Sequence, residues 1–149
     1  TEVSITGIIT ATNGESKYYI QDGEGAWNGL YVYAPALEVS PVVGDEVTIT
    51  GTIIEYFGVT ELTTVTNCEI LSSGNELPNA VVVPTGNIAE SYEGVLVTVE
   101  NAECITGVDN YGAWTINDGS GDVTVDDDFF AYTPAVGSEY TVTGPVLYS

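Results

Sequence analysis

Carboxylates make up almost the whole reactive inventory of this chain: 22 Asp and Glu residues stand against one basic residue, Lys17, with two cysteines and no histidine in 149 residues. Without histidine the commonest general base is missing, and neither a Ser-His-Asp nor a Cys-His relay can be assembled. A pair of acids suffices to cleave a glycosidic bond. That chemistry needs one acid in an apolar pocket that raises its pKa, and the residue pattern shows no such pocket. The expectation is therefore a protein without enzymatic activity, with no catalytic residues and no required cofactor. Cation binding is the other chemistry open to acids. Asp118, Asp122, Asp126, Asp127 and Asp128 fall in or beside turns of the C-terminal half, and hard carboxylate oxygens suit Ca²⁺. A solvated acidic face is the competing reading, because a defined Ca²⁺ site needs six or more converging oxygens and no EF-hand spacing is present. Cys68 and Cys104 are read either as a disulfide, which an even count in a secreted chain suggests, or as two buried thiols. Without histidine they make no zinc site.

The formal charge of -21 has consequences beyond any one site. Nucleic-acid affinity comes mainly from Lys and Arg displacing counterions, so a phosphate backbone is not an expected partner. Almost no ion pairs are available, and salt should stabilise the fold by screening its self-repulsion. No apolar run approaches membrane-spanning length, so membrane insertion is not expected. Thr1 stands where an initiator Met would be, which fits a processed chain that is secreted or held at the cell surface.

The elements that must carry these residues are legible from a repeat. Val43-Gly44-Asp45-Glu46-Val47-Thr48-Ile49-Thr50-Gly51 returns as Val136-Gly137-Ser138-Glu139-Tyr140-Thr141-Val142-Thr143-Gly144, and repeated sequence means repeated structure. Each copy opens with a Gly turn, continues as a strand with alternate apolar residues and reaches a Gly suited to a bend or bulge. A second pair of landmarks, Asp22-Gly23-Glu24-Gly25 and Asp118-Gly119-Ser120-Gly121, falls in the same order. Strands are predicted over 3–9, 18–21, 30–33, 46–56 and 60–71, a plan that matches a five-stranded OB barrel. After a polar linker, with an edge strand in Ala80–Pro84 and a helical turn in Ile88–Tyr92, further strands are predicted over 95–104, 113–117, 123–125 and 139–148. The predicted fold is all-β: two tandem OB-fold-like small β-barrels, residues 1–72 and 94–149, joined by 73–93, the second lacking its last strand.

The segments YYIQDGEG, GLYVYAP, GDEVTITGTIIEYFGVTEL and YEGVLVTVENAE, with WTINDGSG after them, resemble the tandem OB-like modules of secreted bacterial surface proteins. Similar modules lie beside extracellular nuclease and lamin-tail domains. The resemblance covers nearly the whole chain and rests on turn and strand signatures, so it implies fold rather than activity. Members of that family continue past the final TG strand into one more hairpin, whereas this sequence ends at Ser149.

Two binding modes follow. Tyr18, Tyr31, Tyr33 and Tyr56 fall on strands that OB-folds use as a binding face, where aromatics hold sugars or stack bases. Interior packing and cross-strand pairing are the alternative. With no basic residues beside them, polysaccharide is the better ligand. A barrel one strand short also exposes unpaired backbone groups, which a strand from another chain can satisfy. If each subunit gives and accepts a strand, the contact is head-to-tail and builds an open fibre. Two other readings compete: the chain continues beyond Ser149, or Ala80–Val83 folds back into the gap. The expectation carried forward is an extracellular structural subunit, partnered by copies of itself. Its contacts are expected at Val3, Ile5 and Ile9 of the first strand and at Tyr140, Val142, Val146 and Tyr148 of the last.

Overall fold

A computed structural model describes residues 1–149, and the fold is all-β, made of two small barrel-like modules. In the first, β1 (Glu2–Thr12), β2 (Lys17–Gln21), β3 (Gly29–Tyr33), β4 (Glu46–Tyr56) and β5 (Val59–Ser72) close in the order β1-β2-β3-β5-β4. The closing strand β5 runs parallel to β3 and antiparallel to β4. Alternation along the strands places Ile9, Val32, Val47, Ile49 and Leu62 inside with no solvent exposure. At Gly51 the β4–β5 register shifts, and an added Cβ would lie 2.7 Å from the Thr63 carbonyl oxygen. The glycine expected to bend this strand is thus required because β5 crosses directly over it.

The second module contains β6 (Val81–Val82), β7 (Leu96–Thr106), β8 (Trp114–Asn117), β9 (Asp122–Val125) and β10 (Glu139–Pro145). Its main sheet runs β10-β7-β8-β9 and stays open, with nothing between β9 and β10. Val99, Ala102, Cys104, Trp114 and Ile116 form its core. The expected edge strand exists as β6 but does not fill the gap. It pairs in parallel with Val97 and Thr98 of β7, residues whose other side already faces β10. The edge β6 occupies is therefore the one shared with β8. The segment before β7 is bound tightly: Val83 and Thr85 are buried, and two short 3₁₀ turns, Thr85–Asn87 and Glu90–Tyr92, replace the single helical turn expected in 88–92. Cys68 packs against the first core and Cys104 lies in the second, and both thiols are free.

The modules meet backbone to backbone. An added Cβ on Gly29 would fall 2.3 Å from the Gly94 carbonyl, and one on Gly94, where φ is +76°, 2.5 Å from the Leu30 nitrogen. Around this contact Leu96 N–H donates to Gln21 Oε1 (2.7 Å), Trp27 N–H to the Ser91 carbonyl (2.7 Å) and Thr60 N–H to Glu93 Oε1 (2.8 Å). The single ion pair, Lys17 Nζ to Asp128 Oδ1 at 3.2 Å, also spans the modules. Strand β2 is consequently covered on both faces. Tyr18 and Ile20 pack in the first core, while Tyr19 meets Phe129 edge-on across the junction, with ring centroids 5.7 Å apart.

Candidate functional site: an open edge in the second barrel

The second barrel has no counterpart of β5 among residues 1–149. Val47 and Ile49 of β4 correspond to Tyr140 and Val142 of β10, by the alignment of the repeated segments. The first pair is fully buried, whereas the second is only half-buried, as are Val123 and Val125 of β9. These four side chains face the second core from the two ends of its sheet. The glycines make the same contrast. Gly51 lies under the β5 backbone, while its counterpart Gly144 has no atom within 4 Å of the place a Cβ would occupy. Gly in a strand interior weakens it by roughly 0.5–1 kcal/mol relative to Ala. At Gly144 no contact within residues 1–149 requires that cost. Part of the opening is covered by Tyr132, from the loop between β9 and β10, whose ring lies 5.9 Å from Trp114 and 5.8 Å from Tyr140.

The residues expected to make assembly contacts divide accordingly. Tyr140 and Val142 line the opening. Val3, Ile5 and Ile9 do not, because β1 is used on both edges, Glu2–Ile8 by β4 and Ile8–Thr12 by β2. Donating it would dismantle the first barrel. Val146 is buried with Val83, Val95 and Val97 at the base of the second module, and Tyr148 lies exposed beyond the end of β10.

The five aspartates read as a cation site do not converge. Asp118 is a turn clamp: its carboxylate accepts hydrogen bonds from Thr85 N–H (3.0 Å), from Ser120 N–H (2.9 Å) and from the Ser120 hydroxyl. Asp122 accepts from Asn117 Nδ2 at 2.7 Å. Asp126, Asp127 and Asp128 do gather, with carboxylate oxygens within 4.8 Å of one another, but all three are exposed. The Lys17 ammonium already pairs with Asp128.

Nor do the four tyrosines form one platform. Tyr18 belongs to the first core. Tyr31 is buried against Tyr19, 5.2 Å away. Burial, followed by the nearby Glu61 and Asp128, pushes the Tyr31 hydroxyl up to about 12. Only Tyr33 and Tyr56 are exposed. Tyr33 lines a cavity of about 300 Å³ with Leu37, Thr63, Thr64 and Val65.

Burial also raises the carboxyls of Glu61 and Glu93, an effect that the hydrogen bonds from Thr60 oppose at Glu93. Asp118 is shifted the other way, held below the usual Asp range first by the Ser120 hydroxyl and then by the Thr85 N–H. A raised carboxyl contributes stability that is present below its ordinary value of 4.5 and is lost as pH rises through its folded value. A depressed one contributes stability above its ordinary value of 3.8 that is lost as pH falls through its folded value. Relief of self-repulsion reinforces the first trend. The melting midpoint is therefore expected to rise as pH is lowered from 7 toward about 4.5 and to fall in stronger acid. A midpoint that drops steadily from pH 7 downward would contradict this assignment.

No family profile, curated protein or solved structure matches the chain.

Proposed function

We propose that this chain is a non-enzymatic extracellular structural protein whose second barrel is completed by a β-strand from a neighbouring copy, so that subunits join head to tail into a filament or surface layer. One observation carries the reading: β9 and β10 end an open sheet with half-buried core residues behind them and an unoccupied space over Gly144. Unpaired edge groups beside exposed apolar side chains are a template for strand addition. The first barrel supplies the geometry of the missing piece, since β5 lies parallel to β3 and antiparallel to β4. An incoming strand is therefore parallel to β9 and antiparallel to β10, and its alternate apolar residues meet Val123, Val125, Tyr140 and Val142. None of β1–β10 is free to serve as donor, since each is paired within its own module, so the donor is a segment that the neighbour leaves unpaired.

Light scattering on the purified protein tests this. At -21 per subunit, copies repel one another, so the measurement is made in about 0.5 M salt, where the screening length is roughly 4 Å. Assemblies that grow with concentration and with salt are expected. A monodisperse monomer at high concentration and high salt would refute self-assembly.

A further inference from the structure

The β2–β3 loop differs between the modules in a way the strand slot does not explain. It runs for seven residues, Asp22–Asn28, in the first module and for four, Asp118–Gly121, in the second. The longer loop carries Trp27, which is 74% exposed. Its backbone has φ of +68°, a left-handed conformation that is costly for a bulky residue. The loop is held in that shape: Asn28 Nδ2 donates to the carbonyls of Glu24 (2.8 Å) and Ala26 (3.2 Å), and Trp27 N–H donates to the Ser91 carbonyl. The indole is thus presented to solvent by a rigid, strained loop, and strain of this kind gathers at binding sites.

Beside Trp27 lies a shallow cavity of about 140 Å³ lined also by Gly29, Leu30, Thr60, Glu90 and Glu93. Glu93 is largely buried, and its Oε1 accepts the Thr60 N–H. Thr60 pairs with Glu55 one step from the tip of the β4–β5 hairpin, which exposes Tyr56 and Phe57 as an edge-on pair with centroids 4.7 Å apart. An exposed indole face beside carboxylate acceptors and a small cavity matches a sugar ring, which has an apolar C–H face and a rim of hydroxyl donors. At about 140 Å³ the cavity is too small for a drug-sized ligand. The charge of -21 opposes anionic polymers. We propose that Trp27, with Glu93 and Glu90, forms a binding site for one ring of a neutral polysaccharide.

The experiment is a fluorescence titration of the intact protein with neutral hexasaccharides of glucose, mannose, xylose and N-acetylglucosamine, alongside polygalacturonate as an anionic probe. Trp27 is exposed and Trp114 is buried, so a sugar covering the first shields its emission from iodide and leaves the second unchanged. Saturable shielding by at least one neutral probe is expected, with none from polygalacturonate. In Trp27→Gly the binding should be lost. The same variant should melt about 2–4 °C higher, because glycine relieves the positive φ at a site with little packing to lose. Glu93→Gln keeps an acceptor for Thr60 N–H and should weaken binding about tenfold. No saturable response to any neutral probe, equal binding by Trp27→Gly, or preference for the anionic probe would overturn the proposal.

Discussion

Replacing Gly144 by alanine is expected to leave the isolated protein at least as stable as the parent while abolishing uptake of the missing strand. The position has open space around a new Cβ, and relieving a strand interior of glycine is worth roughly 0.5–1 kcal/mol. An incoming strand laid over Gly144 as β5 lies over Gly51 would place a carbonyl oxygen near 2.7 Å from that Cβ, a distance that only backbone movement relieves. A synthetic peptide with the sequence of β5, Val59–Ser72, serves as a surrogate donor. It should bind the parent saturably and raise its melting midpoint, and bind Gly144→Ala at least tenfold more weakly; the self-assembly expected of the parent in light scattering should be lost in that variant. Gly51→Ala is the matched control, because its neighbour is already present; a loss on the order of 1–3 kcal/mol is expected there. Equal peptide binding and equal assembly in Gly144→Ala would mean that the strand slot is not where subunits join.

Gly29→Ala is expected to have the largest effect on the fold. Its Cβ would lie 2.3 Å from the Gly94 carbonyl, and no rotamer change relieves a contact between two backbones. The junction must open, which strains the Gln21–Leu96, Trp27–Ser91 and Thr60–Glu93 bonds together. A loss on the order of 3 kcal/mol is expected, which lowers the midpoint by about 6–12 °C in a protein of this size. Calorimetry should show the single transition broadening or dividing in two as the modules uncouple. Gly107→Ala, whose nearest neighbour would be a Val136 methyl at 3.8 Å, should change stability by less than about 0.5 kcal/mol. An unchanged midpoint in Gly29→Ala would show that the modules do not pack as described.

Strand positions were readable because alternation is a local signal. Val47 and Ile49 point inward as their spacing requires, and the repeated segment placed β4 and β10 in equivalent positions. Open ends of the second sheet followed from the absence of a second copy of β5. Alternation gave less where a strand is covered on both sides. Tyr18 and Tyr19 are adjacent and equally buried, because β2 has the barrel interior on one face and the other module on the other, so period two predicts one exposed tyrosine where there is none. The roles of Gln21 and Glu93 in joining the modules depend on which surfaces meet, information that no local window contains. Trp27, the centre of the proposed sugar site, does carry a signal in the sequence: a large apolar residue in a Gly-rich polar loop, within an insertion that the equivalent turn after β8 does not share. The aspartates could not be sorted from sequence because turn chemistry and cation chemistry use the same side chain, and only the fold shows that Asp118 bonds to Thr85 and Ser120.

The direct meeting of Gly29 and Gly94 has a mechanical meaning. With no side chain between the two main chains there is nothing to act as a soft bearing, and the angle between the barrels is set by peptide geometry. A thread built from such units would behave as a stiff rod with a defined pitch, its bending confined to the joints between subunits.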